Sequence, residues 1–378
     1  MASKNNIFYH IILLSLLCSN AFEANAKIIL PELLTKQSVN NIRFLSQDGK
    51  FTYYQKRSGS LLFSTNYKVQ EVIKGELGAE YNLFATPHRF KIAVLQNNNF
   101  QNFISMRAKQ NIYLITYGET SYRKVGLGIS PKLHVKDMWI SYYDSYEKTI
   151  FFENTVNSVL KFSIKLNNKI NPYFIPQVVM TDDDTIYYTD LNESGNPGLI
   201  KYKRSINKTE VLFKAPHPSI KFEICQLDSQ LIFATFGIRS SQDGTSMSRI
   251  SLSTDDFSKR ENFYQSEQND LGHLICNLDN SQVYFIKNYG NKTAPVFEAA
   301  AVDVGSKNIT LLSELKYVTN LINMDGNLLT LDKGKYYIVK GLTDYKTIDS
   351  LKISPEKNKV EAPEAPMAPM LKGAPEDD

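Results

Sequence analysis

The 378-residue chain is poor in the residues that most often announce a chemistry: three cysteines, five histidines and one tryptophan. No H-x-H, H-E-x-x-H or C-x-x-C pattern occurs, so zinc has no candidate ligand set. No G-x-S-x-G marks a hydrolase nucleophile. His88, His134, His217 and His273 stand far apart, and each reads as a surface or turn histidine. No long stretch carries helical periodicity, and the one sustained apolar run is too short for the ~20 residues that cross a bilayer. Charge of one sign is missing too. Lys and Arg number 43 against 39 Asp and Glu, a net +4. That is too dilute for the clustered basic face of a nucleic-acid binder, so no nucleic-acid partner is expected.

What is present begins at the ends. After Lys4 an apolar run spans Ile7–Leu17, and Ala24-Asn25-Ala26 supplies a small-x-small cleavage site. Residues 1–26 read as an export signal, with Lys27 opening a periplasmic or secreted mature chain that has no transmembrane span. The rival reading, a lipoprotein anchored at Cys18, is disfavoured by Leu16 and Leu17, which stand where small residues are wanted. Residues 27–39 form a lead-in. Residues 354–378 carry five prolines and an acidic excess, the composition of an extended tail with little to bury.

Between the ends the chain repeats itself. Cys225–Phe233 reads CQLDSQLIF, and Cys276–Phe285 reads CNLDNSQVYF. Taking Asp48, Asn97, Ser145, Asp183, Asp228, Asp279 and Asp325 as equivalent points, the shortest step is 38 residues (145 to 183) and the longest 51 (228 to 279). A period in the mid-forties belongs to propellers and solenoids. Each unit holds four short β-type segments, such as KFEICQL, QLIFATF, SMSRISL and ENFYQS, and the chain carries 22 tyrosines and 21 phenylalanines. The expectation is an all-β chain whose residues 40–353 form a single seven-bladed β-propeller of four-stranded blades, six and eight being the neighbouring counts.

The units SQDGKFTYYQ and TDDDTIYYTDLNESGNPGLIKYK resemble the PD40 repeats of TolB-type periplasmic propellers, a WD40-like class, in which a polar turn with Asp and Gly precedes an apolar strand. The resemblance covers the repeat region and implies an exported propeller used for binding. The chain departs from TolB in having no room before residue 40 for an α/β domain, and from WD40 repeats in the surroundings of Trp139.

Two function classes follow. The first is a non-enzymatic binding or scaffold module for an envelope protein or polymer. The second is a lyase- or glycosidase-type enzyme using carboxylates at the channel mouth, with Asp48, Asp183, Asp228, Asp279 and Asp325 as candidates. The plainer reading of those five is that each caps its own turn. DLNESG at 190–195 matches half of a calcium loop, but Lys201 stands where the closing glutamate belongs, so it reads as a hairpin turn. SSQDGTS at 240–246 also reads as a hairpin tip. No metal or cofactor is expected. Cys225 and Cys276 are expected as two buried free thiols, because equivalent sites on neighbouring blades usually lie too far apart to bridge.

Overall fold

The computed structural model describes residues 42–340, apart from short stretches at turns and the segments 99–109, 240–245 and 254–260. The export signal, the lead-in and the tail lie outside the described residues. The described elements are all strands, and within each sheet every strand pairs antiparallel with the next in sequence.

The first sheet is β1 (Ile42–Leu45), β2 (Phe51–Gln55), β3 (Leu61–Thr65) and β4 (Val69–Ile73). A seven-stranded sheet follows: β5 (Ala79–Ala85), β6 (Lys91–Asn98), β7 (Gln110–Thr116), β8 (Tyr122–His134), β9 (Trp139–Asp144), β10 (Thr149–Asn154) and β11 (Lys161–Lys165). Two four-stranded sheets come next. One is β12 (Val178–Met180), β13 (Thr185–Leu191), β14 (Pro197–Lys203) and β15 (Lys208–Lys214); the other is β16 (Lys221–Leu227), β17 (Gln230–Arg239), β18 (Ser246–Ser253) and β19 (Glu261–Ser266). The series closes with β20 (Gly272–Asn277), β21 (Gln282–Asn288), β22 (Phe297–Asp303) and β23 (Ile309–Leu311), then a three-stranded sheet of β24 (Val318–Met324), β25 (Asn327–Asp332) and β26 (Lys335–Lys340).

Burial explains why these segments read as they do. The second strands FTYYQ and TIYYTDL are buried almost throughout, because a neighbouring sheet covers each face. The last strands KTEVLFK and ITL are mostly exposed, as the outer edge of a stack must be. The core is therefore divided among the spaces between successive sheets. One cluster joins Trp139, Phe152 and Ile164 to Val178, Ile186 and Tyr188 of the next sheet. Another joins Cys225, Ile232 and Phe236 to Val283, Phe285 and Val302.

First strands touch first strands from sheet to sheet: β1 meets β5, β8 meets β12, β12 meets β16, β16 meets β20 and β20 meets β24. The chain then comes back on itself. Arg89 Nε, in the turn after β5, donates to Asp325 Oδ1 in the turn after β24 at 2.8 Å, and the Tyr117 hydroxyl donates to Asp325 Oδ2. Antiparallel meanders stacked about a common axis, with their first strands innermost, constitute a β-propeller.

The seven-stranded sheet arises because β8 serves two meanders. Its first half pairs with β7 as far as Gly128, and from Ile129 onward it pairs with β9. The bend between them is built from Ser130 at φ 53° and a register shift between Ile129 and Lys132. Gly128 lies so close to Tyr143 that a Cβ there would fall 2.8 Å from its carbonyl oxygen. The boundary falls inside one continuous strand and not in a turn, which hides it from the repeat count and corrects two of the equivalent points. Asn97 sits inside β6, and Ser145 occupies the turn between β9 and β10. The matching turn after β8 contains Asp137 instead.

Candidate functional site at the propeller axis

The turns after the first strands share one face, because they bond to each other across sheet boundaries. Asp137 accepts from the Thr86 hydroxyl and from the backbone N–H groups of Phe90 and Lys91, at 2.9 and 3.2 Å for the latter two. Trp139 Nε1 donates to Asp183 Oδ1 at 2.8 Å. Asp183 is thus a brace between sheets, and the turn-capping expected of it falls to Asp182, whose Oδ1 accepts from the Asp184 and Thr185 N–H groups. Asp325 is likewise spent on Arg89 and Tyr117. Asp48, Asp228 and Asp279 lie outside the described residues.

Inside that face a cavity of about 910 Å³ follows the axis, walled by the turn after β5 and by β8, β12, β16 and β20. Its volume is that of a small-molecule site. Most of its wall is apolar, including Val178, Val179, Ile224 and Ile275. Among the described lining residues Asp137 is the one carboxylate, and its oxygens are occupied as above. Gln177 Oε1 accepts from Ile224 N–H at 2.9 Å.

His134 corrects the expectation of a surface or turn histidine: it is buried at the end of β8. Its Nδ1 accepts from Met180 N–H at 3.3 Å, which leaves the proton on Nε2 to donate to Ser141 Oγ at 2.7 Å. Burial, and then the charge of Lys132, hold its pKa well below the ordinary value, so the ring is neutral. Lys132 lies directly opposite Ser141 in the β8–β9 ladder, and both face the cavity. The ammonium is surrounded by protein yet open to the lumen, and it makes no hydrogen bond or ion pair among the described residues. Burial brings its pKa down to about 8. Sequence reasoning missed Lys132, His134 and Ser141. The available signal was the alternation of Ser130, Lys132 and His134 with Pro131 and Leu133 at the end of β8.

Cys225 and Cys276 also line the cavity, and they form a disulfide with Cα atoms 5.8 Å apart. The expectation of free thiols fails for a geometric reason. Equivalent positions splay apart on outer strands, but β16 and β20 are first strands and converge at the axis. The stretch 190–195 covers the end of β13 and the turn before β14, where Asn192 Oδ1 accepts from Ser194 and Asn196 N–H groups at 2.9 Å each. SSQDGTS joins β17 to β18, with residues 240–245 outside the described set. No group of three or more His, Cys, Asp or Glu that could hold a metal is found among the described residues.

No family model and no curated protein matches the sequence. Solved structures do. A prolyl endopeptidase structure aligns over 87% of this chain at 11% identity and TM-score 0.53; the match spans about half of that protein, 53%. The β-propeller domain of the trilobed protease from Pyrococcus furiosus aligns over 68% of this chain and 81% of its own, at 12% identity and TM-score 0.49. TolB from Acinetobacter baumannii aligns over 76% and 74%, at 10% identity and TM-score 0.42. At such identities the likeness concerns the fold and not the activity.

Proposed function

We propose that this chain is an exported seven-bladed β-propeller that acts as a protein-binding module of the cell envelope, related to the TolB-type propellers its repeats resemble. The seven-stranded sheet counts as two blades, which with the five other sheets makes seven. A disulfide between neighbouring blades supports an oxidising compartment.

One observation carries the binding reading. The four most exposed large apolar side chains among the described residues are Val159 (82%), Val156 (74%), Ile206 (62%) and Phe90 (60%). All four sit in turns after the first or third strand of a meander, and an antiparallel meander brings both kinds of turn to the same end. Arg204, beside Ile206, stacks over the rings of Trp139 and Phe162 in the preceding meander, which fixes the two turns side by side. Apolar side chains gathered on one rigid face suit a protein partner better than a charged polymer. The lyase or glycosidase reading draws less support, since Asp183 and Asp325 are held in bonds between sheets.

The test is crosslinking of the mature protein in envelope extract, with Val156→Asp/Val159→Asp as the variant. The expected result is loss of the crosslinked partner with the melting temperature unchanged, while Tyr146→Asp in the turn on the opposite face leaves it in place. Capture of the same partner at the same yield by the double variant would overturn the proposal.

A further inference from the structure

The axial cavity contains a donor arrangement that partner docking on the outer face does not use. Lys132 and Ser141 are cross-strand neighbours in β8 and β9, which places their Cβ atoms ~4.5–5.5 Å apart on one face of the sheet. Ser141 is 1% exposed. Its oxygen already accepts the Nε2 proton of His134, because Met180 N–H occupies Nδ1. The serine hydroxyl proton is therefore left to donate, and no described residue accepts it. Beside it stands an ammonium with no counter-ion among the described residues. The only carboxylate of the described wall, Asp137, already takes three donors.

We infer that the axial cavity is a binding site for a small organic anion, whose oxyanion head is held by Lys132 Nζ and Ser141 Oγ–H and whose apolar body lies against Val178, Val179, Ile224 and Ile275. The geometry asks for both parts. Two convergent donors, with the one carboxylate of the described wall already occupied, select an oxyanion over a cation. An apolar wall makes the uncompensated charge unfavourable without a ligand and its neutralisation correspondingly favourable. The backbone-anchored His134 fixes the direction in which Ser141 donates, so the head site is preorganised.

The titratable and charged groups around Lys132 are His134 on its own strand, Lys136 and Asp137 in the following turn, and His88 from the turn after β5. From β9 the neighbour is Ser141. β12 contributes none, and β16 and β20 contribute the disulfide. Above about pH 8 the amine loses its proton, so oxyanion binding weakens there.

Calorimetric titration of the mature protein with octanoate, octyl phosphate and octylammonium at pH 7 and pH 9.5 tests this. One octanoate or octyl phosphate is expected to bind per chain at pH 7, and the two arms tell which oxyanion the head site takes. Lys132→Met should weaken that binding at least tenfold, and Ser141→Ala at least threefold. Lys132→Arg should retain binding at pH 9.5, where the parent protein loses it; this variant also separates loss of charge from loss of fold. Val156→Asp/Val159→Asp should leave octanoate affinity unchanged, so the site can stand or fall separately from partner docking. No saturable binding of either anion, equal affinity in Lys132→Met, or equal binding of octylammonium would each overturn the inference.

Discussion

Trp139 and Asp183 meet across a sheet boundary, the indole N–H donating to the carboxylate at 2.8 Å while the Arg204 guanidinium lies 5.3 Å from the indole ring centre. Trp139 is 3% exposed and is the chain's one tryptophan. Asp183→Ala leaves a buried indole donor without its acceptor, which costs about 1–3 kcal/mol. The expected outcome is a lower melting temperature together with a red shift of the intrinsic tryptophan emission, since water reaches the only indole. An unchanged emission spectrum would show that Asp183 does not hold this boundary.

The Cys225–Cys276 disulfide spans 51 residues and ties two first strands at the axis. Loop-closure entropy assigns such a bridge about 4 kcal/mol, an upper figure if the unfolded chain retains structure. Alkylation of denatured mature protein without reductant should label neither cysteine, and both should label after reduction. The Cys225→Ala/Cys276→Ala variant should melt several degrees lower. Two labels before reduction would remove the bridge.

Arg89 and Asp325 are separated by 236 residues and bring the last described sheet to the second meander. The Asp325 side chain is fully shielded, while that of Arg89 is 35% exposed. Arg89→Ala leaves a buried carboxylate with the Tyr117 hydroxyl as its remaining named donor. The loss is expected at about 2–3 kcal/mol, below the 3–5 of a wholly buried pair because Arg89 is partly screened by solvent. Amide hydrogen exchange in β24 and β25 should accelerate more than in β12–β15. Uniform exchange would mean that this pair does not close the ring.

His134 is buried neutral, with a folded pKa well below its ordinary value. The unfolded chain therefore takes up this proton first as pH falls, and stability present above about pH 6.5 is lost below it. His273, also lowered by burial, adds a second such group. Denaturant midpoints should drop between pH 7 and pH 5. His134→Gln should lower stability at pH 7 but flatten the slope, leaving the share due to His273. An unaltered slope would mean that His134 is protonated in the folded chain.

The strands were legible because their cause is local. KFEICQL, QVYFIKN and KYYIVKG carry the aromatic and β-branched residues that suit a pleated surface, and polar turns separate them. Where a turn has its own chemistry, as in DLNESG, the reading and the structure agree. Where one strand serves two meanders, as β8 does through Gly128 and Ser130, the join lies within the strand and not in a turn, and two repeat points slipped.

The sequence by itself determined the all-β character, the repeated meander and the positions of most turns, since each depends on residues within about ten positions of one another. It could not say which turn aspartate caps its own loop and which braces the next sheet, because Asp182 and Asp183 differ only in where their side chains point once two sheets are stacked. Nor could it tell Lys132 from the other lysines. Convergence of first strands at the axis decided that Cys225 reaches Cys276, and that one ammonium and one serine hydroxyl face the same enclosed space. Those are contacts between residues far apart in the chain, and ring geometry creates them.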